Sequence, residues 1–388
     1  MMPHLRRECL LYAFLAVALG LAWQATLVYS LYGGNWSALF HHGVGGGGVP
    51  TEPAFANTYV FPVEWGYDGQ YYRMIAHNPF LTRGGYVEHI NLPLIRYHRI
   101  LVPIMAFAMA FGQQPYIDAG IVATLLLFLF LGVYWLARYA VLFGRSPKWG
   151  WAFFLAPATL SGLERSTIDI ALGALTIGFV LYLREQSRYR LFLVLVMAGL
   201  CRETGLFLCL ACAGASLLKK NWTMLAWSCA SVLPALAWYG YVQMHIPRDL
   251  EIDIFRLPLT DLLSNLLHHD VSYVSSGRSF VQVLYYVAVL GMLLAFLFAI
   301  RSAFHAWTRA ESLAAIAFAI GGLLVQTPGL WMEAYGFGRI LAPILVLLAL
   351  EYFPTGDWWR VLPVCMVTPS ILIVPAANAL NVAKHLRM

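Results

Sequence analysis

The chain is patterned as a series of uncharged apolar runs, each separated from the next by a short polar connection. An α-helix rises about 1.5 Å per residue, so a hydrocarbon core of about 30 Å takes about 20 apolar residues. The run 9–31 has that length and follows the basic pair Arg6 and Arg7. It is longer than the apolar core of a secretory signal, and no clean small-x-small cleavage site follows it. It reads as a retained first helix with its N-terminus inside. Further spans are expected at about 117–137, 149–163, 167–184, 190–201, 205–218, 222–243, 283–300, 310–328, 339–353 and 360–377. A shorter apolar segment, 99–112, crosses fully or only partly. The pattern predicts an all-α polytopic membrane protein, a bundle of about 11–12 transmembrane helices. Residues 1–388 form a single membrane domain. Chain outside the spans is concentrated in a long first loop, 32–98, and a second, 244–282.

Composition agrees with this reading. The 388 residues are 60% hydrophobic and 11% charged, whereas soluble domains average about 45–50% and about 25%. Mean hydropathy is +0.69. These values exclude a disordered chain, a disulfide scaffold and a soluble nucleic-acid binder, and no nucleic-acid partner is expected. The net charge of +6 is better read through loop topology, because Lys and Arg favour the inner side of a membrane. Basic connections at 138–148, 184–190, 219–220, 301–309 and near Arg360 are expected inside. The loops 32–98, 164–169, 201–204, 244–282 and 333–339 then fall outside. Lys384, His385 and Arg387 would prefer the inside and disagree with an odd number of crossings, which leaves parity open.

The six cysteines lie in or beside apolar spans, where Cys packs as a small hydrophobe, and Cys209 with Cys212 is read the same way. No Walker loop, HExxH or GxSxG occurs. The glycine run 45–48 reads as a flexible tether.

Polar chemistry is concentrated on the expected outer side. Asp68 lies between Gly66 and Gly69 among Trp65, Tyr67, Tyr71 and Tyr72. From Gln70 onward the pattern predicts an amphipathic helix at the membrane interface, with Tyr71 and Tyr72 at headgroup level. A carboxylate on such a turn is placed either to cap the helix or to accept a proton from an incoming hydroxyl. Arg96, Tyr97, His98 and Arg99 precede the next apolar segment. Glu164, Arg165 and Asp169 lie in one outer turn, Arg202 and Glu203 in the next, and Glu333 and Arg339 in a later one. Arg near a span costs about 2.5–3.5 kcal/mol at mid-depth, so such residues pair or line a polar cavity. A phosphate leaving group needs cations rather than an acid, and guanidinium offers it bidentate contacts. One carboxylate with an arginine cluster therefore suits displacement at a sugar carbon, without the paired carboxylates of a glycosidase.

The run Gly66, Tyr67, Asp68, Gly69, Gln70, Tyr71, Tyr72, followed by Arg96, Tyr97, His98, Arg99, Ile100, Leu101, Val102, Pro103, resembles the GT-C superfamily of integral-membrane glycosyltransferases. It looks most like members related to the PIG-M and PIG-V mannosyltransferases. Arg165 with Asp169, and Arg202 with Glu203 and Thr204, also resemble outer-face motifs of that group. The resemblance covers most of residues 1–210. It implies a GT-C-like bundle with a catalytic acid in the first outer loop and a polyprenyl-phosphate sugar as donor. Asp68 stands at the position of that acid. Many relatives carry two adjacent acids, whereas here the second candidate is Glu64, four residues earlier.

The expectation is an inverting glycosyltransferase of the cytoplasmic membrane, active on its extracytoplasmic face. It would move a sugar such as mannose to a hydroxyl of a glycolipid or cell-surface glycan. Asp68 would be the general base. Arg99, Arg165, Arg202 and Arg339 would hold the lipid phosphate, with Arg96 and His98 as second choices and Asp169 and Glu203 beside them. Glu64, Gln70, Tyr71 and Tyr72 would contact the sugar. The 244–282 loop would cover the acceptor. Its His245, His268 and His269 lack a carboxylate partner, so no metal or other cofactor is expected. The rivals are a transporter or flippase for a lipid-linked or amphipathic substrate and a non-catalytic lipid-binding membrane partner.

Overall fold

The computed structural model describes residues 2–45, 47–62, 65–83, 85–246, 259–267, 278–324 and 330–387. The apolar runs fold as helices, and among these residues strand is confined to a two-residue parallel pair, β1 (His42–Gly43) with β2 (Val60–Phe61). Four helical segments among the described residues are long and apolar enough to cross a membrane: Pro3–Leu31, Gln114–Leu142, Ser279–His305 and Trp358–His385. A bent pair, Ala334–Ile340 and Ala342–Thr355, meets at 57° and makes a fifth if counted as one span. The chain is an all-helical protein with the build of a membrane protein. The long segments contain helices α1 (Pro3–Leu31), α5 (Ile117–Leu142), α13 (Arg278–His305) and α18 (Leu362–His385). The bent pair contains α15 (Ala334–Ile340) and α16 (Ala342–Leu350).

Several other expected spans are shorter than a bilayer core. Helices α7 (Asp169–Arg184), α8 (Arg188–Cys201) and α9 (Leu206–Leu218) have 16, 14 and 13 residues, and so reach about 20–24 Å; α14 is described over Ala310–Leu324. Proline explains two interruptions, because it fits only the first turn of a helix. The expected span 149–163 is a 3₁₀ segment (Pro147–Leu155) followed by α6 (Pro157–Arg165), which Pro157 opens. The expected span 222–243 is divided into α10 (Trp222–Ala230) and α11 (Leu233–His245), the second with a proline in its first turn. The segment 99–112 becomes α4 (Leu101–Met109), nine residues long. At about 14 Å it is too short to cross.

Ion pairs mark the two ends of the bundle. At one end Arg138 bonds Glu185, Arg184 lies 3.0 Å from Glu311, and Arg360 lies 2.9 Å from Glu351. At the other, Asp169 at the start of α7 meets Arg202 and Arg339. The expected sorting of basic and mixed-charge loops is reproduced as two opposite ends. Helix α18 leaves the basic end beside Arg360. In its second half Asn378 donates to Glu164 Oε2 at 2.6 Å, and Glu164 Oε1 accepts from Trp23 of α1 at 2.7 Å. Lys384, His385 and Arg387 therefore follow α18 out at the end opposite Arg6 and Arg7.

The first loop folds against this frame. Helix α2 (Asp68–His77) is buried at every residue after Asp68, with Tyr71 and Tyr72 only 5% and 2% exposed. This replaces the expected interfacial helix with tyrosines at headgroup level. The physical reason is internal pairing, since a buried charge is tolerated when its hydrogen bonds are met. Arg73 Nε and Nη2 donate to the two Asp118 oxygens on α5 at 2.8 Å each, and Nη1 donates to Thr58 Oγ1 at 2.7 Å. Its guanidinium lies 4.6 Å from the Phe55 ring centre. His42 Nε2 is 3.3 Å from Arg73 Nη1. Burial, then the Arg73 charge, lowers the His42 imidazole from 6.5 to about 3.

Asp118 is part-exposed while Arg73 is buried, so Asp118→Ala removes charge-assisted hydrogen bonds worth about 1.5–3 kcal/mol and is expected to lower the unfolding midpoint of the purified protein. An unchanged midpoint would show the clamp to be idle. The depressed imidazole adds a pH term. His42 is neutral in both states above pH 6.5. As pH falls from there towards 3, the unfolded chain takes a proton that the fold refuses. Stability is then lost at up to about 1.4 kcal/mol per pH unit. His42→Gln should flatten that slope in unfolding curves taken across pH.

Candidate functional site

The site begins with two glycines. Gly66 has φ +78°, a left-handed turn that costs glycine little, and it brings Asp68 to the first position of α2. Negative charge in the first turn of a helix is favoured by the helix dipole. A Cβ on Gly69 would lie 2.3 Å from the Arg165 carbonyl oxygen and 3.1 Å from that of Phe40. The first turn of α2 can abut the end of α6 only because this residue has no side chain.

Four segments far apart in sequence converge on that turn. Asp68 Oδ1 accepts from Arg96 Nη2 at 3.0 Å, near the end of α3 (Pro93–His98). Asp68 Oδ2 accepts from Arg339 Nη2 of α15 at 2.5 Å. The other terminal nitrogen of Arg339 donates to Asp169 Oδ2 at 3.0 Å, and Asp169 Oδ1 accepts from Arg202 just past α8. The result is a buried line of alternating charge: Arg96, Asp68, Arg339, Asp169, Arg202. Beside it, Arg99 Nε lies 3.0 Å from Glu203 Oε2, and Arg99 Nη1 donates to the Tyr72 hydroxyl at 3.2 Å. Arg165 stacks over two rings, 4.5 Å from Tyr67 and 4.8 Å from Tyr335. Arg339 lies 4.7 Å from the same Tyr67 ring.

Among the described residues the cluster holds five guanidiniums (Arg96, Arg99, Arg165, Arg202, Arg339) against three carboxylates (Asp68, Asp169, Glu203). Glu164 lies beside Arg165 but is bonded to Trp23 and Asn378, so one formal positive charge remains in excess once Glu164 is counted. Several buried polar atoms around it have no hydrogen-bond partner among the described residues: Arg96 Nη1, Arg339 Nε, Tyr335 Oη, Ser166 Oγ and Thr204 Oγ1. Burial pushes the Asp68 carboxyl up, but the Arg339 and Arg96 guanidiniums outweigh it and hold it well below the usual carboxylate range.

Asp68, Arg96, Arg99, Arg165, Asp169, Arg202, Glu203 and Arg339, singled out from sequence, are thus brought together. Arg96, expected as a second choice, is a direct partner of the acid. Other expected contacts have different employment. Gln70 is scaffold: Oε1 accepts from the Gly43 N–H at 3.3 Å and Nε2 donates to the Trp65 carbonyl at 3.2 Å. The Tyr71 ring lies 4.1 Å below the Arg96 guanidinium, and the Tyr72 hydroxyl is held by Arg99. His98 stacks on Tyr239 at 4.2 Å. Glu64 lies outside the described residues, as do His268 and His269. His245 sits 2.8 Å from the Tyr241 carbonyl. In the second loop, α12 (Thr260–Leu267) carries Asp261, whose Oδ2 accepts from the Trp331 N–H at 3.1 Å, close to the start of α15.

Sequence reasoning missed Asn91, Tyr335 and the stacking role of Tyr67. Asn91 Oδ1 accepts from Arg96 Nε at 2.6 Å. Tyr335 was detectable, because it precedes Arg339 by four residues and so shares its helix face. Among the described residues no group of three or more His, Cys, Asp or Glu converges as a metal-ligand set. All six cysteines are free. Comparison with family models, characterised proteins and solved structures finds no match to this chain.

Two cations of the cluster should respond differently to removal. Arg339→Met leaves two buried carboxylates short of a partner and is expected to destabilise by about 3–5 kcal/mol. Arg202→Met leaves Asp169 still bonded to Arg339 and is expected to cost less. Thermal unfolding of both variants in detergent tests this order. Equal losses would mean that Arg339 is no more central than Arg202.

Proposed function

We propose that the chain is an inverting glycosyltransferase of the GT-C type. It transfers a sugar from a polyprenyl-phosphate donor to a hydroxyl of a glycolipid or cell-surface glycan, on the extracytoplasmic face of the cytoplasmic membrane. The observation that supports this reading is the excess of guanidinium, with unmet buried donors, gathered around Asp68. An oxygen-rich anion satisfies both features at once. The motif resemblance over residues 66–72 and 96–103 points the same way, as does the all-helical build.

In this mechanism the acceptor hydroxyl oxygen attacks the anomeric carbon while the bond from that carbon to the phosphate oxygen breaks. The lipid phosphate leaves with the bonding pair, and Asp68 takes the hydroxyl proton. A carboxylate held between Arg96 and Arg339 is too weak a base for this step. The incoming phosphate competes for the same N–H groups, however. Each hydrogen bond that Arg96 or Arg339 gives to phosphate returns an Asp68 oxygen to the acceptor and raises its proton affinity. Base strength is thereby tied to donor occupancy, which keeps the carboxylate inert until a donor is bound. Arg165, Arg202 and Arg99 complete the phosphate cradle, and Tyr67 and Tyr335 present ring faces beside it.

One observation favours the transporter reading: the helix break that follows Arg339, since transport sites are built at broken helices. A single experiment separates the two. Purified Asp68→Asn is assayed for sugar transfer from a lipid-linked donor and, in proteoliposomes, for movement of that donor across the bilayer. Transfer is expected to fall by about 10²-fold or more. Undiminished transfer would remove Asp68 from the chemistry, and intact lipid movement without any transfer would favour the transporter.

A further inference from the structure

The end of the bundle opposite Asp68 carries a second charged feature with a different organisation. A cavity of about 490 Å³ opens where α7 and α9 end and α8, α10 and α14 begin. This falls within the range of about 300–1,000 Å³ typical of small-molecule sites. Its wall bears Arg184, Arg188, Lys219 and Arg309 against one carboxylate, Glu311, a formal excess of three positive charges. Glu311 is already engaged by Arg184 at 3.0 Å. Arg188, Lys219 and Arg309 have no carboxylate within ion-pair distance among the described residues. The other nearby acid, Glu185, is taken by Arg138 and Arg190.

The two charged regions differ in kind. At the Asp68 end the cations alternate with carboxylates and are buried. Here three exposed cations line a shared space whose one carboxylate, Glu311, is bonded to Arg184. Helix starts and helix ends both meet here, so their dipoles oppose one another and the side-chain charges set the field. The back of the cavity is apolar, formed by Leu191, Ala215 and Met224. Beside its rim, Leu217 and Trp222 are 53% and 64% exposed, on a surface suited to acyl chains. A ligand that fits has a compact anionic head of phosphate type and a small apolar body behind it.

We propose that this cavity is a binding site for a phosphate ester, held through its phosphate oxygens by Arg188, Lys219 and Arg309. The source is either an anionic phospholipid headgroup or a soluble phosphate ester. The site lies across the bundle from the Asp68 cluster, so it stands independently of the proposed transferase activity. Simple preference of basic residues for one side of a membrane would place charges at this end without making them act together.

The test is ligand binding to the full-length protein, wild type and the triple variant Arg188→Gln, Lys219→Gln, Arg309→Gln. A control triple variant, Arg145→Gln, Lys148→Gln, Arg301→Gln, changes the same number of exposed charges at the same end without touching the cavity. The lipid arm uses nanodiscs of phosphatidylcholine containing a trace of phosphatidylglycerol, with retained lipid counted by native mass spectrometry. The soluble arm titrates glycerol 1-phosphate into protein in detergent by calorimetry. In at least one arm the cavity variant should bind tenfold or more weakly than the control, with wild-type binding weakened by salt. Loss in the lipid arm alone identifies a phospholipid headgroup, and loss in the soluble arm identifies a free ester. Equal binding by both variants in both arms, or no preference of wild type for phosphatidylglycerol together with no glycerol 1-phosphate binding, would overturn the proposal.

Discussion

The placement of Arg339 between two carboxylates is the constraint on which the rest of this end of the molecule depends. It bonds Asp68, 271 residues away, and Asp169, 170 residues away. Burying an isolated ion costs several kcal/mol, and only close, well-oriented partners offset that cost. The alternating line satisfies this requirement for five side chains at once. Each interior member is shared, so none can move without exposing two neighbours to an apolar surround. The same logic holds α2 in place through Arg73 and Asp118. A polar helix from the first loop is thereby sunk into a body made of leucine and alanine.

The charged members of the site were legible because charge is scarce in this chain, at 11% of residues. An arginine at the end of an apolar run must find a partner, and the alternation of loops between two ends leaves few places to find one. Asp68, Asp169, Arg202 and Arg339 follow from that argument. The aromatic members were much less visible. Aromatic residues make up 15% of the sequence, and nothing in the spacing of Tyr67 distinguishes a guanidinium platform from a belt residue. The Arg73 and Asp118 pair was hidden for another reason. Asp118 stands at the edge of an apolar run, where a carboxylate looks like an ordinary helix start. Helix breaks were missed where only hydropathy was read, because Pro157 and the proline opening α11 interrupt runs that contain no charge.

The two ends of the bundle handle positive charge in contrasting ways. Around Asp68, Arg96, Arg202 and Arg339 are buried against carboxylates, and Arg96, Arg165 and Arg339 lie over tyrosine rings, so the cations are gathered before any ligand arrives. Such preorganisation reduces the reordering that binding would otherwise require. At the opposite end Arg188, Lys219 and Arg309 are exposed and hold no carboxylate among the described residues. The first arrangement suits a site that must aim groups at a reacting centre. The second suits one that needs only to retain a phosphate ester.

The 57° bend between α15 and α16 sets how Arg339 reaches its partners. Helix α16 is buried at eight of its nine residues and packs against α7, α13 and α14. The bend turns the seven residues of α15 off that axis towards Asp68 and Asp169. One stretch of chain thus roots itself in the apolar interior and delivers a cation to the rim.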